Sequence, residues 1–215
     1  MAYCQQHTQD AHRHNDIANG FTVLDSFDAD FWDAFSGQDY SNTPGLPARL
    51  VGTGAVPGDS LGNYSSFVMV MNGFNGDQEV YDSMLPLLVS YLNAGGNILL
   101  TGRQGSGFIK GGVEDYAQVE YGETLVSISG LTSAVSGIVD MPGAGLSRTD
   151  LPLIPTSPDV TVLLTVPDFP NNIGGFITQP SGSGKFAHIA GRQYRFEIGP
   201  TNTNYEYILS HYFGE

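Results

Sequence analysis

The residues best placed for chemistry in this 215-residue chain stand where a predicted strand runs into a glycine-rich turn: Leu99-Leu100-Thr101-Gly102-Arg103-Gln104-Gly105-Ser106-Gly107. In an open α/β sheet, such a position faces the ligand crevice at the carboxyl ends of the strands. A nucleophile elbow needs Gly-x-nucleophile-x-Gly, because its strained turn leaves no room for side chains at the flanks. Gly102 sets Gln104 at the nucleophile's place, and an amide is no nucleophile. Ser106 stands two residues late and is the candidate hydroxyl, with His188 of KFAHIAGR the candidate base. An isolated histidine in an alternating strand is more often a packing residue. A small molecule bound at these strand ends would meet Asp25, Asn72, Gly73, Arg103, Gln104 and Ser106. Arg192 and Arg195 offer an anion clamp, against the default of pairing with nearby carboxylates.

Other patterns fail on spacing. His7, His12 and His14 could ligate a metal through neutral imidazoles, but no pair sits at i and i+4 and no carboxylate motif accompanies them. Ser181 to Lys185 (SGSGK) ends like a phosphate-binding loop, yet Gln179 replaces the first glycine and the segment lies between strands. FDADFWD alternates carboxylates without the spacing of a calcium loop, and helix capping explains it more cheaply. No metal site and no cofactor are expected.

Composition narrows the partners. The chain carries 22 Asp plus Glu against 8 Lys plus Arg, a net charge of −14. A polyanion needs basic residues to displace its counterions, so nucleic acid is disfavoured and no nucleic-acid partner is expected, and anionic membranes are disfavoured with it. What remains is a small molecule, a glycan or a protein. Charged residues are only 14% of the chain, so Ser, Thr, Asn, Gln and Gly must supply the polar surface. That surface suits a secreted or periplasmic protein. Met1 to Asn19 have no apolar core and are not a signal peptide. No apolar run is long enough for membrane insertion. Cys4 is the one cysteine, which rules out an intrachain disulfide and a cysteine-based zinc site.

The elements that must hold the turn can be read along the chain. Residues 1–20 are polar and aperiodic and read as an N-terminal extension, leaving 21–215 as a single domain. Phe21 to Asp25 (FTVLD) predicts a first strand, and Phe31, Trp32 and Phe35 the buried face of a short helix capped by Asp28 or Asp30. Ala48 to Val51 is a candidate strand. Ser66 to Met71 (SFVMVM) is an apolar run of the length of a doubly covered strand. Gln78 to Ala94 follows as an amphipathic helix containing Pro86 and ending at Gly95-Gly96. Asn97 to Thr101 is a second buried strand, which completes a right-handed βαβ unit. Val113 to Ser127 predicts a helix flawed by Gly122, or a helix then a strand. Gly130 to Gly145 predicts a peripheral excursion and LPLIPTSPD a connector. Val160 to Val166 is a strand; Phe176 to Gln179 and Lys185 to Ala190 flank the hairpin turn PSGSG. TNTNYEYILSHYF is a closing helix with Tyr205, Ile208, Leu209 and Tyr212 on one face.

The order NYSSFVMVMNG, YLNAGGNILLTGR and GSGKFAHIAGRQYRF…YEYILSHYF resembles bacterial domains of the class I glutamine-amidotransferase-like superfamily, nearest its secreted, trehalose-utilisation-like branch. The likeness spans Phe21 to Glu215. It implies a flavodoxin-like, three-layer α/β/α fold, with a mostly parallel sheet and a C-terminal antiparallel hairpin. In that family an elbow cysteine attacks the glutamine amide with support from a His and a Glu; here no cysteine lies near residue 104. The expectation is a non-catalytic amidotransferase-like module of an exported bacterial protein, serving binding or assembly. The alternatives are a hydrolase using Ser106, or a metal with His188 and Asp25, and self-association through a sheet edge.

Overall fold

The computed structural model describes residues 2–6, 26–33, 46–71, 78–102, 113–121, 126–145, 148–150, 153–191 and 195–215. Its centre is built from the most apolar runs of the chain. SFVMVM forms β4 (Ser66–Met71) and NILLTG forms β5 (Asn97–Gly102), paired in parallel with Ser66 opposite Asn97 and Met71 opposite Gly102. Between them runs α3 (Gln78–Asn93), which continues through Pro86. The predicted βαβ unit is present. α3 places Met84, Leu88 and Leu92 in one cluster with Phe67, Met69, Ile98 and Leu100. It ends before Gly95, whose φ of +98° only glycine adopts without a Cβ penalty.

The chain's end covers the opposite face. α5 (Ile198–Tyr207) passes into a π-helical turn, Ile208–Phe213, and Tyr205, Ile208 and Leu209 share a second cluster with Val68, Val70, Leu99 and Ile189. Inside it the Tyr205 and Thr101 hydroxyls meet at 2.6 Å. Neighbouring residues of each central strand feed opposite clusters, so both faces are dry.

Four further strands extend the parallel array: β1 (Ala2–Gln6), β2 (Asp30–Asp33), β3 (Leu50–Thr53) and β14 (Phe186–Ala190), in the order β3-β2-β1-β4-β5-β14. Beyond β14 the sheet turns antiparallel, through β13 (Phe169–Thr178), β12 (Thr161–Val166), β8 (Gly130–Ser133) and β9 (Met141–Pro142). β11 (Leu153–Pro155) pairs with β13 and with β6 (Val119–Tyr121), completing twelve strands; β7 (Val126–Ile128) and β10 (Arg148–Asp150) form a separate ribbon. The other described helices, α1 (Leu46–Arg49), α2 (Gly58–Leu61) and α4 (Glu114–Ala117), are single turns.

This architecture corrects the flavodoxin-like expectation. With 41% strand against 27% helix, the molecule is a mixed, strongly curled sheet approaching a half-barrel, not a helix-rich α/β/α sandwich. The cause lies after residue 113. Gly130 to Gly145 and LPLIPTSPD contribute β8, β9 and β11 to the main sheet, and antiparallel neighbours need only short turns where parallel ones need a crossover helix. Two local expectations also change. Asp30–Asp33 is a strand: Phe31 is buried in one cluster while Trp32 packs on the other, and only a period of two sends consecutive residues to opposite faces. Ala2–Gln6, expected in a polar extension, pairs with β2 on one side and β4 on the other.

Candidate binding cleft

At the carboxyl ends of the parallel strands, Gly102 closes β5 and Gly191 follows directly after β14. The Gly102 N–H donates to the Gly191 carbonyl at 3.0 Å and the reverse bond is 3.3 Å; both residues have positive φ, 117° and 115°. These bonds join the two strand ends. Of the predicted site residues, Asp25, Asn72, Gly73, Arg103, Gln104 and Ser106 lie outside the described residues, as do His7, His12, His14 and Arg192. His188 is described. It is fully buried in mid-strand, with Nδ1 at 3.1 Å from the Leu100 carbonyl and its ring edge-on to Phe176 at 5.9 Å. A carbonyl only accepts, so Nδ1 carries the proton.

The lone cysteine stands in the same row of the sheet. Cys4 is opposite Met69, Met69 opposite Leu100, and Leu100 opposite His188. Three inter-strand steps of ~4.8 Å put about 14 Å between the Cys4 and His188 backbones. Among the described residues no group of three or more His, Cys, Asp or Glu could hold a metal. The acidic FDADFWD is engaged elsewhere: Asp28 meets Arg49 at 3.4 Å, and Asp30 accepts the Tyr64 hydroxyl at 2.6 Å. Burial first, then that bond and the Asp30 charge, push the Tyr64 phenol up to about 12.

The opposite, amino end of β14 is built differently. The turn PSGSG, with Gly182 at φ +77°, joins β13 to β14 in the antiparallel register Thr178 to Phe186. It is pinned from several sides. Gly184 donates its N–H to Leu92 at 2.7 Å and accepts the Tyr116 hydroxyl at 2.6 Å, and the Lys185 N–H donates to Asn97 Oδ1 at 3.0 Å. Gly184 also lies so close to Gly96 that a Cβ there would fall 1.9 Å from the Gly96 carbonyl oxygen. Burial raises the Tyr116 phenol, while a hydrogen bond from Ser183 pulls the other way.

Beside this turn is a cleft of about 290 Å³, lined by Asp159, Thr161, Gln179, Lys185 and Tyr212, with Ile177 and Thr178 in its wall. Thr161 opens β12 directly opposite Ile177. The Lys185 ammonium donates to the Tyr212 carbonyl on the π-helical turn, where helix-end carbonyls lack intrahelical donors and favour a cation. Gln179 Nε2 donates to the Ser183 carbonyl at 3.1 Å. Tyr212 stacks edge-on against Tyr207 and His211, and burial, then the nearby Tyr207, raises its phenol. A second cleft of about 310 Å³ opens at the same end of β4 and β5, beside Tyr64, Tyr91 and Asn97. The sequence reading missed both. The one signal was SGSGK, whose lysine marks the cleft without being part of a phosphate loop.

No family model matches the chain, and no curated protein matches it. Among solved structures it is similar to the mmIFT52 N-terminal domain, at TM-score 0.56 and 11% identity, covering 100% of this chain and 98% of that one. At that identity the likeness speaks for the fold alone.

Proposed function

We propose that the chain is a non-catalytic, amidotransferase-like module of an exported bacterial protein, and that it acts by binding or assembly. The observation that carries the reading is the row from Cys4 through Met69 and Leu100 to His188. Nucleophilic catalysis by a thiol needs its base within hydrogen-bond reach, about 3 Å, and these two backbones stand several times that far apart. The cysteine also sits inside a strand rather than on the turn that follows one. Export is supported by the uncharged polar surface, since only 14% of residues are charged.

The test is ammonia release from L-glutamine by the whole chain, compared with Cys4→Ser. We expect neither protein to exceed the spontaneous rate. Turnover that Cys4→Ser abolishes would overturn the proposal, as would ester hydrolysis that disappears in Ser106→Ala.

A further inference from the structure

We propose that the cleft between the β13–β14 turn and the C-terminal π-helical turn binds a single sugar ring, whether as a free monosaccharide or as the end of a glycan. This gives the binding role proposed above a place and a ligand class, and it rests on that reading only for there being a ligand at all.

A carboxylate (Asp159), a hydroxyl (Thr161), an amide (Gln179) and an ammonium (Lys185) surround the space, and Ile177 is the aliphatic residue among them. An apolar ligand would strand these groups without partners, at a cost for each that falls out of contact with water. An anion would meet one cation beside Asp159, on a chain of net charge −14. A metal ion would meet one carboxylate and an ammonium. A vicinal diol suits the set, because each hydroxyl both donates and accepts: a carboxylate accepts from two neighbouring hydroxyls while an ammonium donates to their oxygens. Bonds to charged partners are also the stronger ones.

Two of the four groups are held before any ligand arrives. Lys185 spends one of its three donors on the Tyr212 carbonyl and keeps two. Gln179 is tied through Nε2 to Ser183, which leaves its carbonyl oxygen to accept. The turn carrying both is fixed by Leu92, Asn97 and Tyr116. Side chains ordered in advance lose less entropy on binding. Tyr212 adds an aromatic residue to the wall, and the volume of about 290 Å³ lies at the small end of ligand sites, which start near ~300 Å³. That is room for one ring inside the cleft.

The experiment is saturation-transfer NMR and calorimetry on the whole chain. The probes are glucose, galactose, mannose and N-acetylglucosamine, their β1,4-linked disaccharides and trisaccharides, and glycine as a zwitterion that could also bridge Asp159 and Lys185. We expect saturable, millimolar binding of at least one sugar. Equal affinity for ring and oligomer indicates a free sugar, and tighter binding of the oligomer with transfer confined to its end ring indicates a glycan terminus. Asp159→Asn, at an exposed position, should weaken binding by about tenfold or more through loss of a charge-assisted bond. Lys185→Gln should do the same, with a melting curve to show that the π-helical turn survives. The proposal fails if no sugar saturates, if glycine alone binds, or if the affinity is unchanged in Asp159→Asn. None of these outcomes touches the ammonia assay, which tests the loss of catalysis separately.

Discussion

The parallel half of the sheet and its antiparallel half share buried apolar packing and differ in the polar contacts added to it. Around β4 and β5, stability comes from volume: Phe67, Met69, Leu88, Leu92, Ile98 and Leu100 are all at most 1% exposed, and the helices on the two faces are packed against side chains of this kind. Beyond β14 the strands are packed as tightly, with Leu131, Met141, Leu163, Leu164 and Phe176 at most 2% exposed, and polar clasps and close main-chain approach are added to that packing. Asn204, buried on α5, accepts the Val139 N–H and donates to the Val139 carbonyl, both at 2.8 Å, pairing a loop as a strand would. Asp140 accepts the Ser133 N–H at 2.8 Å, a bond that holds its carboxyl below the usual range. Gly143 lies where a Cβ would fall 1.8 Å from the Ser129 carbonyl oxygen. One half rests on packed volume; the other adds particular polar atoms to it.

Substitutions can break or sharpen this contrast. The largest effect is expected in the parallel half: Leu88→Ala should cost ~2–5 kcal/mol in urea unfolding, by lost burial plus a cavity, whereas Leu88→Met, close in volume, should cost less than about 1.5 kcal/mol. If both cost the same, volume is not what holds that half. Next, Asn204→Ala should cost ~1–3 kcal/mol by leaving two main-chain groups of Val139 without partners. Asn204→Asp should fail to rescue it, since an ionised carboxylate cannot donate to the Val139 carbonyl; recovery by Asp would break the comparison.

The smallest effect is a pH dependence at Tyr64. Its phenol is raised from 10 to about 12, chiefly by burial and then by Asp30. The unfolded chain therefore releases this proton first. The contribution to stability is whole below pH 10 and is lost as pH rises through about 12. Tyr64→Phe should flatten the fall in stability over that window, read as a smaller change in unfolding midpoint between the two pH values. An unchanged slope would remove Tyr64 from the account.

What the sequence discloses follows the same division. The βαβ unit is legible because SFVMVM and NILLT are continuous apolar runs, the helix between them carries a stripe, and Gly95 closes it. The hairpin is legible from PSGSG. β2 is not, because Phe31, Trp32 and Phe35 have helical spacing and only the neighbouring strands decide otherwise. β8, β9 and β11 are two to four residues long, too short to show a period by themselves. The cleft draws residues from 159 to 212, and their meeting depends on how the C-terminal turn lies over the hairpin. No local pattern announces that.

The position of Ala2–Gln6 bears on how the molecule is made. This segment lies inside the array, and both of its neighbours follow it in the chain, one beginning at Asp30 and the other at Ser66. At translation rates of ~5–20 residues per second, those few residues wait on the order of several seconds for their second partner. Until then they are an unpaired edge on the nascent chain. Removing them afterwards would part β2 and β3 from the rest of the sheet, so a shortened protein starting at Phe21 should lose far more than a tail.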